Sequence, residues 1–369
     1  MRLWALSALR CVGLDEVEAP CRGHLVLAPE PAATERNEEV LEGALSCAAC
    51  GAVYPVVAGV AVLLRNPFRF FRSFYPFAKD YLADVGGMSP PFQVWLHTHM
   101  LADLESKKDK LFPRPVPYNE QVAHPLNKWL GTYLLTHYFP PVPSGNDLLD
   151  SLQTASHDGG PIRLLGDMAQ RWSNDSPGLG VDMGCSVGGL TRRIAGLCRQ
   201  AIGIDLSFEK ILTARRTLLG VPCGPPPLRV YREGISFENV PLPPMTAANV
   251  DFVVASGTET PLETGSADVI TSCNLIDIVN DPFAVLAEKV RVLSPKGVLV
   301  VSTPYLDHTA AVTQHLEAGA GDPRKTVLEH LTGFEIVEEH LKVPWLLRGS
   351  DRHWDLYLDH CFAARRAAG

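Results

Sequence analysis

No apolar run is longer than the twelve residues of VYPVVAGVAVLL (53–64), too few to span a bilayer, so no membrane span is expected. Positive charge is also scarce. Lys and Arg number 33 against 41 Asp and Glu, giving a net charge of −8 and a pI near 5.8. A broad electrostatic footprint for nucleic acid or anionic lipid is therefore missing. The start carries no leader pattern: Arg10 interrupts MRLWALSALRCVG and no small-residue cleavage site follows, so it reads as a mature N-terminus. The twelve histidines show no H-E-x-x-H spacing, and none is taken as a metal ligand. Nine cysteines is an odd number in a chain too long to need staples. Reduced thiols, some of them ligating metal, fit better than a secreted disulfide framework, and a cytoplasmic location is expected.

What is present is a large potential core. Hydrophobic residues make up 46% and charged ones 20% of 369 residues, enough for two domains and a third small piece. The first segment, 1–65, holds Cys11, Cys21, Cys47 and Cys50. Residues 66–178 form a helical linker or lid rich in aromatics, broken by PRPVP (113–117) and PPVPSG (140–145), with 151–178 read as a loop or short helix. From 179 to 369 apolar runs alternate with helical patterns. Strands are expected at 180–185, 201–205, 251–256, 267–273, 297–303, 334–343 and 354–366, with helices at 188–198, 207–219 and 282–293. That alternation means a doubly wound, mostly parallel α/β sheet of seven strands. The insert 221–250 reads as irregular chain or a small hairpin.

The strongest chemical signal is VDMGCSVGGLTRRIA (181–195), a strand, a Gly-rich turn and a helix. Gly184, Gly188 and Gly189 let the backbone approach a ligand at the helix N-terminus. The spacing is not the dinucleotide G-x-G-x-x-G. The next strand, AIGID, ends in Asp205, where a carboxylate can hold ribose hydroxyls. The pattern D-x-G-C-x-x-G-G resembles motif I of the class I S-adenosylmethionine-dependent methyltransferases. That resemblance implies a cofactor site made of Asp182, Gly184, Cys185, Gly188, Asp205, Leu206 and Asn274. Where the family has an acidic residue against the adenine, this chain has Ser256, Gly257 and Thr258, so Ser256 and Gly257 take that place by hydroxyl and backbone.

The fourth strand ends TSCNLIDIVNDP, placing Asn274 and Asp277 three apart at a strand-to-helix turn, and the fifth ends VVSTPYLD with Tyr305. NLID followed by D-P, a strand ending in TPY, and the tail R-x-x-x-R-x-W-x-x-Y resemble the methyltransferase part of ovothiol synthases. More loosely they resemble protein-histidine N-methyltransferases. The likeness runs from about 118 to 366 and includes LGTYLLTHYF (130–139). It implies an imidazole acceptor belonging to histidine, a histidine derivative or a peptide. The chemistry agrees: a carboxylate that accepts the ring N–H fixes the tautomer, aims the other nitrogen and stabilises the cation formed. Asp277 is the candidate for this, with Asn274 orienting and Tyr305 as a further hydrogen bond or ring wall. The competing reading makes Asp277 a helix N-cap. Tyr138, Trp354 and Tyr357 are candidates for acceptor binding, against their reading, shared by His137, as core or lid aromatics. No iron-binding histidine pattern of a sulfoxide-synthase half is present.

The N-terminal cysteines form a second constellation. Cys47 and Cys50 make a C-x2-C knuckle, which suits two thiolates of a tetrahedral zinc. The other pair, Cys11 and Cys21, is stretched to nine intervening residues. Segment 1–65 is similar to the small zinc-ribbon domains that act as partner subunits of tRNA and protein methyltransferases, which implies a structural zinc and a protein partner through the ribbon. Cys185, Cys198, Cys223, Cys273 and Cys361 read as inert thiols in or near the core. Two alternatives stand beside the imidazole reading. One is a methyltransferase for another small molecule or for a macromolecule docked through the ribbon, with nucleic acid disfavoured by the charge; the other is a non-catalytic cofactor-binding scaffold.

Overall fold

The computed structural model describes residues 1–14, 19–106, 128–233, 236–242, 245–306 and 321–367. The proline break expected at 113–117 lies outside these residues. The chain opens with a short helix α1 (Leu3–Ala8) and five strands, β1 (Leu25–Leu27), β2 (Thr34–Arg36), β3 (Glu39–Cys47), β4 (Val53–Val57) and β5 (Val60–Leu63). Helices α2 (Pro67–Ala83), α3 (Pro90–Ser106), α4 (Lys128–Tyr138), α5 (Asp147–Gly159) and α6 (Pro161–Trp172) follow. The remainder alternates: β6 (Leu179–Met183), α7 (Gly189–Ala195), β7 (Gln200–Asp205), α8 (Phe208–Leu219), β8 (Leu228–Tyr231), β9 (Phe237–Val240), β10 (Val250–Ala255) and β11 (Ala267–Cys273). It closes with α9 (Pro282–Val292), β12 (Leu293–Thr303), α10 (Pro323–Glu329), β13 (Phe334–Ser350) and β14 (His353–Arg366).

Strands β10, β7, β6, β11 and β12 lie side by side and parallel, and β14 and then β13 add antiparallel at one edge. These are the seven strands expected. β6 and β10 are buried along their whole length, as strands covered on both faces must be. Side chains alternate between two apolar layers: Ile202, Ile204 and Val253 face one, Ala201, Phe252 and Val254 the other. The helices begin where their caps dictate. Ser207, Asp281 and Asp322 each accept a backbone N–H of the first turn, and Pro282 and Pro323 follow two of them.

The sheet does not stop at seven strands. β5 pairs in parallel with β10, matching Ala61 to Val253 and Leu63 to Ala255, and β4, β3 and β1 continue beyond it. With β2 on β3, the sheet reaches twelve strands. Residues 1–65 are thus an extension of the main sheet rather than a ribbon standing apart. A buried charge cluster fastens the join. Arg215 of α8, fully buried, pairs with Glu39 of β3 at 2.6 Å and with Asp251 of β10.

Two local details depart from expectation, and the hairpin offered for the insert is found. Residues 151–178 are not a loop: α5 and α6 fill much of the segment, and Ile162, Leu165, Met168 and Ala169 of α6 are buried at helical spacing. Pro161 at its first position starts it. The insert 221–250 contains the β8–β9 hairpin, which covers a small core of Leu134, Val187, Leu228 and Val230. Cys223, on that insert, is only partly buried.

Candidate functional site

The turn after β6 is tightly constrained backbone. Gly184 has φ +80° and Gly188 φ +88°, and a Cβ on Gly188 would lie 2.8 Å from the ring of Phe252. Gly189 admits no side chain either, because a Cβ there would stand 2.6 Å from His137 Nδ1. Helix α4 clamps this turn. His137 Nδ1 accepts the Gly189 N–H at 3.1 Å, and the Tyr138 hydroxyl donates to the Val187 carbonyl at 2.5 Å. Burial, with Lys210 adding to it, pushes the His137 ring down to about 3, so it stays neutral and keeps accepting. Tyr138, a candidate for acceptor binding, therefore spends its hydroxyl on the turn.

Asp205 lies half-exposed at the end of β7. Its two carboxylate oxygens accept the Ser186 and Ser207 N–H groups, each at 2.9 Å. Each oxygen has a second lone pair for a ligand hydroxyl. Leu206 beside it is 37% exposed. Asp182 is placed differently: it is buried, accepts from Thr191 at 2.7 Å and Thr271 at 3.0 Å, and ties β6 to α7 and β11. Burial pushes its carboxyl up to about 6 against the pull of the two threonines. Its oxygens serve the scaffold below the turn. Cys185 is buried and its thiol is pushed up by burial.

Across the sheet, Ser256 Oγ contacts Thr258 Oγ1 at 2.8 Å and accepts the Thr258 N–H at 3.2 Å, forming a tight hydroxyl turn after β10. Leu275 sits between the two loops. Its side chain would lie 3.1 Å from a Cβ on Gly184 and 3.3 Å from one on Gly257. Gly184, Asp205, Gly257 and Leu275 thus stand at the carboxyl ends of β6, β7, β10 and β11, the side of the sheet where open α/β sheets bind ligands.

The acceptor candidates gather next to it. Asn274 follows β11 with φ +49°, and its Oδ1 accepts from the Ser302 hydroxyl at 2.7 Å. Asp277 is buried one turn later, and burial pushes its carboxyl up to about 7. It does not cap the helix, because Asp281 accepts the Ala284 N–H at 2.9 Å and fills that role. Asp359 of β14 is a third polar group here, one that sequence reasoning missed. It is fully buried, senses the Asp277 charge, and is pushed up to about 7 chiefly by burial.

Tyr305, with φ +54°, turns elsewhere. Its hydroxyl lies 2.6 Å from His360 Nδ1, and His360 Nε2 lies 2.8 Å from Glu339 Oε1. His360 and Asp359 are neighbours on one strand and face opposite sides, so the structure does not bring Tyr305 and Asp359 together. In the tail, Tyr357 feels the charges of Tyr133, Asp277 and Asp359 and is pushed up to about 12, mainly by burial. Trp354 sits apart, near the hairpin turn, with its indole N–H donating to the Asp351 carbonyl and Arg348 over its ring at 5.1 Å.

The four N-terminal cysteines do converge. All their sulfurs lie within 4.8 Å of one another, with Cys11 and Cys50 3.5 Å apart and Cys21 and Cys47 3.7 Å apart. A tetrahedral zinc with bonds of about 2.3 Å needs sulfur separations of about 3.8 Å, close to the Cys11–Cys50 and Cys21–Cys47 distances. The stretched first pair closes because the Cys11 N–H donates to the Gly23 carbonyl at 2.9 Å and the Arg22 N–H to the Cys11 carbonyl at 2.8 Å. Gly23 is required beside them, since a Cβ there would stand 2.8 Å from Cys47 Sγ.

Residues 181–301, which span β6 to β12, match the family model described as a methyltransferase domain. Residues 181–301 form a methyltransferase domain, whose fold implies S-adenosylmethionine. A protein of Mycobacterium sp. (strain JLS) named an uncharacterized methyltransferase is 35% identical over 88 residues, 22% of this chain. The match spans about a third (35%) of that relative's own length. Among solved structures, the N-methyltransferase NodS from Bradyrhizobium japonicum WM9 is 15% identical, covers 56% of this chain and 94% of its own, and has a TM-score of 0.37. The YcgJ protein from Bacillus subtilis is 12% identical, with 56% and 98% covered and a TM-score of 0.35. A chain from the complex of the Haloferax volcanii Trm112 methyltransferase activator with a methyltransferase is 15% identical, with 58% and 95% covered and a TM-score of 0.36. Among the described residues no helix is long and apolar enough to cross a membrane. In the methyltransferase domain, the Gly184–Gly188 turn and Asp205 fit the cofactor by backbone access and by free acceptor capacity.

Proposed function

We propose that the protein transfers the methyl group of S-adenosylmethionine to an imidazole nitrogen of histidine, a histidine derivative or a histidine-containing peptide. The observation that carries this reading is the Asn274–Asp277 pair at the end of β11, next to the cofactor crevice. Asp277 is buried there while Asp281 does the capping, so its carboxylate is not spent on the helix N-terminus. S-adenosylmethionine, when bound, supplies a methyl group on a sulfonium. Asp205 would hold the ribose hydroxyls, the Gly184–Gly188 turn would lie against the amino-acid portion, and Ser256 and Gly257 would border the adenine. Asp277 would accept the ring N–H, leaving the other nitrogen's lone pair toward the methyl, and would stabilise the imidazolium as it forms. Asn274, held by Ser302, would orient the ring. Catalysis is then alignment for in-line displacement with water excluded.

The cysteine set would hold a structural zinc. Its role follows from the fold: the zinc would brace β3 and the segment around Cys11, and β5 would brace the cofactor side through β10. The N-terminal segment is in this view an internal support, with any protein partner or cytoplasmic setting a matter for co-purification and localisation experiments. Methyl transfer from labelled cofactor to a panel of histidine, 4-mercaptohistidine, carnosine-like dipeptides and His-peptides tests the reading. Labelling of an imidazole, lost about 10²-fold or more in Asp277→Asn, is the expected result. Labelling confined to a hydroxyl, thiol or other amine refutes the imidazole acceptor and leaves only the methyltransferase activity.

A further inference from the structure

Asp359 has no place in that mechanism, and its surroundings ask for one. It stands on β14 one residue before His360, the last partner of β12, and so at the same mouth of the sheet as Asn274. By alternation it shares a face with Tyr357 and Cys361. The carboxylate is completely buried, and among the described residues neither oxygen makes a hydrogen bond of full geometry. Asn274 and Ser302 lie against it and favour its ionised form, yet neither reaches full hydrogen-bond geometry. Among the described residues the Asn274 amide nitrogen, buried nearby, also lacks a hydrogen bond of full geometry, while its oxygen is held by Ser302. A buried carboxylate left unpaired is costly, and such groups persist where a ligand completes them.

One imidazole N–H can satisfy only one carboxylate. With Asp277 taking it, a second donor must come from elsewhere on the acceptor. Building on the imidazole reading above, we propose that Asp359 is a specificity residue that binds a cationic amine of the acceptor, so that the substrate class is an imidazole bearing a nearby ammonium group. An acceptor without that group would leave Asp359 only the off-geometry approach of Asn274 and Ser302. Asp277 and Asp359 would then divide the work: the first holds the ring, the second selects the molecule that carries it.

Two probes separate these contacts. Histamine has the ring and an amine, whereas 4-methylimidazole has only the ring. Each is titrated by calorimetry into the full chain saturated with S-adenosylhomocysteine, as wild type and as Asp359→Asn. Histamine should bind the wild type at least tenfold more tightly than 4-methylimidazole, and Asp359→Asn should abolish that preference while leaving S-adenosylhomocysteine affinity unchanged. Because the substitution removes an unpaired buried charge, the variant's melting temperature should hold or rise. Equal binding of the two probes by the wild type overturns the proposal, as does a variant that keeps the preference. A variant that melts several degrees lower and loses S-adenosylhomocysteine overturns it too, in favour of a scaffold role. If the wild type binds no S-adenosylhomocysteine, the methyltransferase reading itself falls, an outcome distinct from the others.

Discussion

Arg215→Met should destabilise the protein more than the simultaneous neutralisation of Arg215, Glu39 and Asp251. Arg215 is fully buried between Glu39 and Asp251, whose side chains are 5% and 0% exposed. Its partners lie on β3 and β10, so the cluster joins the N-terminal strands to the methyltransferase domain. Taking the guanidinium away leaves two carboxylates in the core, and breaking a buried pair in this way costs about 3–5 kcal/mol. Arg2 relieves only part of this, through its 3.2 Å contact with Glu39. At ~2.1 cal/mol/K per residue the unfolding entropy of so long a chain is roughly 0.8 kcal/mol/K, so Tm should fall by about 4–6 °C. The triple variant Arg215→Met, Glu39→Gln, Asp251→Asn removes the two buried carboxylates with the guanidinium and leaves Arg2, whose side chain is 22% exposed, to solvent. Its new side-chain amide oxygen at position 251 can still accept a backbone N–H, as Asp251 does from Phe252. This variant should recover most of the loss. The assay is thermal unfolding followed by tryptophan fluorescence and far-ultraviolet circular dichroism, whose midpoints should coincide if the two segments melt as one. A single variant melting within 1 °C of wild type, by the same entropy scale about 1 kcal/mol or less, would refute the reasoning. So would a triple variant as unstable as the single.

Asp205→Asn should weaken S-adenosylhomocysteine binding about 10–100-fold, since an amide cannot accept both the Ser186 and Ser207 N–H groups and also a ribose hydroxyl; calorimetry that finds the affinity unchanged would remove Asp205 from the cofactor site. Asp277 and Asp359 are both raised to about 7, among neighbours Tyr133, Tyr357, Cys273 and Cys361, so the folded state binds more protons than the unfolded one between the ordinary carboxylate range and pH 7. Their contribution to stability should therefore fall as pH rises across that window, and denaturant titrations should show a shallower fall in Asp359→Asn than in wild type. Methyl transfer should instead rise with pH through about 7 as Asp277 ionises, and a flat profile would count against its role. The purified protein should hold one zinc per chain by elemental analysis, and Cys50→Ser or strong chelation should lower Tm; a metal-free protein with unchanged Tm after chelation would show the four thiols to be a plain structural cluster.

Much of the fold could be read before any coordinates, for physical reasons. The strands at β6 and β10 are apolar but for one aspartate each, as strands covered on both faces are, and the helices announce themselves through Ser207, Asp281 and the proline behind its cap. Helices α5 and α6 were hidden because SLQTASHDGG is polar and α6 buries only one stripe. The pairing of β5 with β10 had no local signature, since VAVL reads as a buried strand whatever its neighbour is. Residues of the site divide along the same line. Gly184, Asp205, Asn274 and Asp277 stand at strand ends, where sequence spacing alone places them at the mouth of the sheet. Asp359 lies in DLYLDHCF, an ordinary alternation, and only the register with β12 shows which face it takes. His137 was unreadable for a similar reason: its partner, Gly189, is more than fifty residues away, and nothing in LLTHYF marks it as the group that accepts the first N–H of α7.

The union of β5 with β10 also orders events during synthesis. Ala61 pairs with Val253, so the N-terminal strands leave the ribosome about 190 residues before the strand that receives them. At about 5–20 residues per second, that is roughly 10–40 s in which β5 presents an unpaired apolar edge. The β3–β4–β5 meander and the cysteine cluster can form in that interval from local contacts, and the parallel sheet cannot. The N-terminal segment thus waits as a half-built edge, and early metal binding at its cysteines would hold it in register until β10 arrives. Nascent chains stalled before residue 250 should accordingly be prone to edge-to-edge association, and the completed chain should not.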